Sequence, residues 1–228
     1  MIDIKESALF IADAHYPHHG NEFMDLLHKL KNGEITTPQL FLMGDIFDLL
    51  FGYNDYITTF CHEATALLQE LSKTIEMHYF EGNHDFCLKN VFPDMHIYSR
   101  DDQPIIMKLG ENRVSLSHGD KYDAGFGYGV YCKLLRSKTT LNILKPFEKK
   151  IINHQMSRLP AKIICKKMSN FEQKAEAIMS HYPQDIDMVI EGHFHQGIQI
   201  DKYISLPSLA CQKMYAITKN NKIVFKSL

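Results

Sequence analysis

The 228-residue sequence predicts an α/β protein whose first strands run mainly parallel and whose middle is an all-helical insertion. Three observations carry that expectation. Short apolar runs alternate with helical stretches, the pattern of βαβ units. Each run ends directly in a polar motif built from Asp, Asn or His. Residues 121–182 then break the alternation with helical patterning alone, and a tail of short strands comes after them.

Taken in order, residues 7–12 form the first apolar run and 21–31 the helix after it. The run 39–43 comes next, then a helix over 55–71 and the run 74–80. Residues 113–117 and 187–191 read as two further buried strands, one on each side of the insertion. Within the insertion Pro146 and Pro160 mark helix starts, because proline at the first helical position gives up only an amide that had no partner. Residues 196–200, 203–206, 211–218 and 222–226 read as strands joined by tight turns, one of them at Lys219-Asn220-Asn221. The expected organisation is one core, 1–120 with 183–228, interrupted by a helical lid at 121–182. A hydrophobic content of 45% and this length suit a single sizeable core.

The net charge of −2 conceals an asymmetry. From Lys133 to Lys174 there are eleven basic residues and two acidic ones, Glu148 and Glu172, for a local +9. These bases are interleaved with Leu141, Ile143, Leu144, Phe147, Ile151, Ile152, Met156, Leu159, Ile163, Ile164 and Met168. That mixture describes an element that meets something amphipathic and anionic, such as a membrane surface, more than a merely solvated face. Nucleic acid is not expected, since the stretch offers only Phe147 and Phe171 for base stacking. No obligate protein partner is evident.

Cys61, Cys87, Cys132, Cys165 and Cys211 are scattered and odd in number, which predicts reduced thiols in a cytoplasmic setting. The opening Met1-Ile2-Asp3-Ile4-Lys5-Glu6 places acids where a signal peptide places bases. No apolar stretch reaches the roughly 20 residues that span a bilayer. The expectation is a protein neither exported nor inserted.

Five motifs carry the chemistry: Asp13-x-His15, Gly44-Asp45-x-x-Asp48, Gly82-Asn83-His84-Asp85, Ser117-His118-Gly119-Asp120 and Gly192-His193-x-His195. Alone, Asp-x-His or Gly-Asp would be an ordinary turn. Together they supply carboxylate, amide and imidazole groups enough for two divalent metals, all at the carboxyl ends of strands, where open α/β sheets bind ligands. Asp48 suits an acceptor that orients a ligand, or a helix N-cap. His84 stands beside the metals without needing to bind one, free to give a proton or hydrogen bond to phosphate, with Asp85 holding its ring.

This ligand set, in this order, resembles the calcineurin-like metallophosphoesterases, and the motifs span residues 13 to 195. The resemblance implies a four-layer α/β/β/α sandwich. It implies one metal on Asp13, His15, Asp45 and His195 and another on Asp45, Asn83, His118 and His193, with Asp45 shared. His84 and Asp85 would be catalytic. Oxygen and nitrogen ligands without thiolate leave Mn, Fe and Zn open, and the resemblance favours manganese. Such a pair, roughly 3.5–4 Å apart, polarises a phosphoryl group and activates water for in-line attack.

The insertion narrows the resemblance. A helical lid directly after Ser-His-Gly-Asp, bearing Gly127-Tyr128-x-x-Tyr131-x-x-Leu134-Leu135-Arg136, is similar to that of the UDP-2,3-diacylglucosamine hydrolases of lipid A synthesis. This closer resemblance implies cleavage of a lipid-linked nucleotide sugar to UMP and 2,3-diacylglucosamine 1-phosphate, by a protein peripheral to the inner membrane. Asp123, Tyr128, Tyr131, Arg136, Arg158 and Lys162 are the expected substrate contacts. The alternative is a phosphoesterase acting on a soluble phosphoprotein, nucleotide or phosphodiester, which needs the same metal ligands but no apolar, basic lid.

Overall fold

The computed structural model of the protein describes residues 1–122, 127, 133–134 and 136–228. Strands and helices are numbered in chain order. β1 (Leu9–Ile11), β2 (Gln39–Leu42), β4 (Glu76–Phe80) and β6 (His96–Tyr98) pair in parallel, and β12 (Met214–Lys219) and β13 (Lys222–Ser227) extend their sheet antiparallel on the β1 side. The second sheet runs β10 (Ile198–Ile200), β11 (Tyr203–Ser205), β9 (Met188–Glu191), β8 (Asn112–Ser117), β7 (Ile105–Leu109), with β8, β9 and β11 parallel. The two-residue strands β3 (Leu50–Phe51) and β5 (Asp85–Phe86) form a small parallel pair.

The apolar runs are continuous because both faces of their strands are covered. Leu9, Ile11, Leu40 and Leu42 face the helices α1 (Glu22–Lys31) and α3 (His62–Leu71), against Phe23, Leu26, Leu27, Leu67 and Leu68. Their neighbours Phe10, Phe41 and Met43 point the other way, into a core shared with Val114, Leu116, Ile190 and Ile204 of the second sheet. The period-2 alternation of a strand thus feeds two different cores.

The outer face of the second sheet is covered from within the insertion. Phe171, Ala175 and Ile178 of α6 (Phe171–Met179), spaced to lie on one helical face, pack with Val189 and Tyr203. Helices, sheet, sheet and helix make the four-layer sandwich. The insertion also holds α4 (Lys138–Leu144) and α5 (Glu148–Arg158), and α5 places Ile152 and Met156 in the first sheet's helical core. Among the described residues, no helix is long and apolar enough to cross a membrane.

Three sequence expectations need correction. The helix over 55–71 is split into α2 (Asp55–Thr58), a 3-10 turn Thr59–Cys61 and α3. Thr59 Oγ1 donates to Tyr56 O at 2.7 Å, a local bond of the kind by which threonine competes with helix continuation. The strand over 211–218 starts only at Met214. Leu209–Gln212 is instead a short helix, α7, capped by Ser208 Oγ accepting from Cys211 N at 3.1 Å. Finally, Cys165 and Cys211 form a disulfide with 5.4 Å between their Cα atoms, where reduced thiols were expected. Forty-six residues of sequence separate the partners, so the pairing exists only in the folded chain. Cys132 lies outside the described residues.

Candidate metal centre

Each motif lies just past the carboxyl end of a strand: Asp13 after β1, Asp45 after β2, Asn83 after β4, His118 after β8 and His193 after β9. Both sheets therefore deliver side chains to one place. Ligand atoms of Asp13, His15 and His195 lie within 4.8 Å of one another, as do those of Asp45, His118 and His193 and those of His15, Asp45 and His84. Asp45 belongs to two of these groups and His15 to two. The His118 Nε2 also lies 3.3 Å from Asn83 Oδ1.

The backbone turns sharply to achieve this. Asp13, His15, Asp45, His193 and His195 all have φ between 47° and 63°, in the left-handed region. Each such non-glycine residue costs about 1–2 kcal/mol, and conformations of this kind persist only where surroundings impose them. Here Asp13 N donates to Gly44 O (3.1 Å), His15 N to Asp45 O (3.0 Å) and His193 N to Asp13 Oδ2 (2.9 Å). Gly44, at φ 85°, lies against the His118 ring so closely that a Cβ would collide with it.

Orienting contacts fix which ring nitrogen faces inward. His118 Nδ1 lies 2.9 Å from Met43 O, and as donor there it leaves Nε2 for a metal. His15 Nδ1 faces Asp48 Oδ1 at 3.4 Å. Asp48 also accepts from His18 N (3.0 Å) and lies 2.9 Å from His18 Nδ1 and 3.6 Å from His19 Nε2. Asp48 thus gathers three imidazoles, among them His15 of the first motif. His18 and His19, which belong to none of the five motifs, belong to the surroundings of the centre. The signal available was their place two and three residues after Tyr16, in the loop the first motif opens.

His84 differs from the expectation in what holds it. Its Nδ1 lies 2.6 Å from Asp48 O, and its Nε2 lies 2.9 Å from Lys162 Nζ. Asp85 does not hold the ring. Its buried carboxylate accepts from Asp45 N (3.0 Å), Gly82 N (2.9 Å), Ile46 N (2.6 Å), Phe47 N (3.3 Å) and Tyr79 OH (2.6 Å). Those donors surround Asp85 and turn it toward the loop that carries Asp45, so its part is positioning. Arg136 donates to Gly82 O at 2.7 Å and lies over the Phe86 ring, 4.9 Å from its centroid. Arg158 ends α5, exposed to solvent. Asp123, Tyr128 and Tyr131 lie outside the described residues.

The electrostatics suit a cation. Burial alone would push the His118 imidazole down, but Asp45, Asp13 and Asp120 outweigh it and bring it up to about 9. Burial would raise Asp13 and Asp45, yet the surrounding imidazoles hold both below the usual carboxylate range. Carboxylates that draw protons onto buried imidazoles are a negative cavity compensated by protons. A divalent ion replaces that compensation, and binding it releases protons. The oxygen and nitrogen donor set fits such an ion.

A cavity of about 350 Å³ opens beside Asn83 and His84. Leu49, Phe51 and Phe86 line it from the core, and Leu141, Leu144 and Ile151 from α4 and α5.

Convergent carboxylates and imidazoles at the strand ends of a double-sheet sandwich, beside a paired histidine and lysine, fit a metallophosphoesterase. The chain belongs to the calcineurin-like phosphoesterase family, whose model matches residues 7–197. It is therefore a phosphoesterase dependent on divalent metal. It is similar to the UDP-2,3-diacylglucosamine hydrolase of Photorhabdus laumondii, 26% identical over 201 residues, 82% of this chain and 81% of that one. The enzyme of that name from Hamiltonella defensa is 25% identical over 222 residues, covering 91% of this chain and 85% of its own. Among solved structures, a protein of unknown function from Aquifex aeolicus is similar with a TM-score of 0.48 and 17% identity, covering 97% of this chain and 96% of that one.

Proposed function

We propose that this protein hydrolyses the pyrophosphate of UDP-2,3-diacylglucosamine, releasing UMP and 2,3-diacylglucosamine 1-phosphate. The observation that carries the reading is the apolar cavity adjoining Asn83 and His84. A soluble phosphoester has no use for Leu141, Leu144 and Ile151 beside its reacting group, whereas an acyl chain gains about 0.8 kcal/mol for each methylene it buries there. The names of the relatives agree with this substrate.

Asp13, His15, Asp45 and His195 would hold one divalent ion, and Asp45, Asn83, His118 and His193 the second, manganese being the expected metal. When bound, the pair supplies charge stabilisation at the phosphoryl group and an activated water. His84, with Nδ1 turned to Asp48 O, presents Nε2 outward together with the Lys162 ammonium. Both reach the same phosphate oxygens or leaving oxygen, which fixes the pyrophosphate for in-line displacement. The insertion helices act as a lid. Lys149, Lys150, Lys166 and Lys167 are exposed beside Ile143, Phe147 and Ile163, an arrangement suited to the anionic face of the cytoplasmic side of a membrane.

The test is turnover of UDP-diacylglucosamine with manganese, beside nucleotides, phosphopeptides and a small soluble phosphodiester. The lipid substrate should be preferred by orders of magnitude in kcat/KM, with label from heavy-oxygen water entering UMP. Equal or better turnover of a soluble substrate would replace the lipid reading with the alternative.

A further inference from the structure

Residues 162–170 pass from the 3-10 turn Leu159–Ala161 to α6 without regular structure. The segment begins at Lys162, the residue that meets His84. Between the buried Leu159 and the buried Phe171 it is tied to the body by polar and covalent links more than by packing. Met168 N donates to Gln196 Oε1 (3.1 Å), Gln196 Nε2 donates to Lys166 O (3.1 Å), and Cys165 is bonded to Cys211. Ile163 is 87% exposed, so apolar burial does not replace these links there.

The far end of the disulfide is built into the metal centre. Cys211 lies in α7, whose cap Ser208 donates through Oγ to Asp13 O at 2.7 Å. Gln212 Nε2 donates to His195 O (2.6 Å), and Cys211 Sγ lies 3.6 Å from His195 Nδ1. The near end, Cys165, is exposed to solvent.

We propose that Cys165–Cys211 is a reversible thiol–disulfide site that fastens the Lys162 segment over the metal centre. Oxidised, it holds Lys162 beside His84. Reduced, it frees the segment and weakens the grip on the substrate's phosphate. The reaction takes two electrons and two protons from a dithiol: the S–S bond breaks, Cys165 and Cys211 each gain a proton, and the dithiol closes to its own disulfide. Exposed disulfides are the labile ones, and those of reducing compartments are mostly transient and redox-sensing. The proposal needs only phosphoester chemistry, not the lipid substrate, so the two readings fail separately.

The test compares full-length protein purified without reductant, the same protein treated with dithiothreitol and desalted, a reoxidised sample, and Cys165→Ser. Two readouts are taken on the manganese-loaded protein: the rate of tryptic cleavage after Lys166 or Lys167, and the inhibition constant of inorganic phosphate with a small chromogenic phosphodiester as substrate. Reduction should raise cleavage about tenfold and weaken phosphate inhibition about tenfold, the scale of one charge-assisted hydrogen bond. Reoxidation should restore both, and Cys165→Ser should match the reduced protein and ignore dithiol. Unchanged cleavage overturns the proposal, and so does faster cleavage with unchanged phosphate inhibition, which would make the bond a structural tie alone. Thiol counting that finds Cys165 reduced after purification overturns it as well.

Discussion

Asp85 accepts five hydrogen bonds while fully buried, four from backbone amides and one from Tyr79. Burial, with Asp45 close by, pushes its carboxyl up, so it is the surrounding donors that keep it useful as an acceptor. Asp85→Ala strands those amides and should cost about 3–5 kcal/mol. At roughly 2–4 °C per kcal/mol for a domain of this size, the melting temperature should fall by about 10 °C. Calorimetry showing a shift of only a degree or two would reject the clamp. His84 should behave in the opposite way. His84→Ala should leave folding and metal content intact while lowering kcat/KM roughly 10²–10⁴-fold. Metal analysis beside kinetics separates the two outcomes, and full activity would remove His84 from the mechanism. The sequence made the clustered candidate groups legible because each motif pairs a metal-binding side chain with a strand end. It could not show the partner of His84, because Asp48 O and Lys162 Nζ reach the ring from 36 and 78 residues away.

At the scale of elements, the insertion does two jobs that its sequence does not separate. α6 gives Phe171, Ala175 and Ile178 to the sandwich, while α4 and α5 line the cavity with Leu141, Leu144 and Ile151. Both parts carry apolar residues at helical spacing, so pattern alone cannot say which apolar face meets a sheet and which meets a ligand. Leu141→Trp tests the second part, since the indole takes up space in the cavity without touching a metal ligand. KM for UDP-diacylglucosamine should rise about tenfold, the equivalent of two methylenes left unburied, with turnover of a small diester unchanged. Equal effects on both substrates would count against an acyl-binding cavity. Strand detection failed in a related way. β3, β5 and β6 are two or three residues long, too short to show a period. The split of the 55–71 helix falls at Thr59–Cys61, where neither Gly nor Pro marks a break in the sequence.

For the whole molecule, the α/β class was legible because strands buried on both faces must be apolar throughout, and five such runs stood out, while the four-layer sandwich followed from the family resemblance. What sits between them was less so. His78 on β4 is fully buried, stacked on Phe41, with Nδ1 3.0 Å from Tyr98 OH and Nε2 3.1 Å from Glu76. Burial, aided by His96 and opposed by Glu76, pushes its imidazole down to about 4. Its folded value lies below the unfolded one near 6.5, so the unfolded chain binds the extra proton in between. The stability this histidine contributes is therefore full above pH 6.5 and lost as pH falls to 4, a change of roughly 3 kcal/mol. Denaturant titrations of wild type and His78→Phe should converge by about that amount across the window. Parallel curves would show that folded His78 titrates where the unfolded chain does, and would reject the burial effect.

The groups of the metal centre come from positions 13 to 195 and from the ends of both sheets. An ion bound there is consequently a cross-link between the two halves of the sandwich, one that the unfolded chain cannot reproduce. Ion concentration and global unfolding are then linked by mass action: at a hundred times the dissociation constant, each site adds about 2.7 kcal/mol to the folded state. Chelation should lower the melting temperature of the entire protein in a single transition, not merely stop turnover. A cell short of the metal would lose the folded enzyme as well as its turnover, through a larger unfolded fraction open to proteolysis.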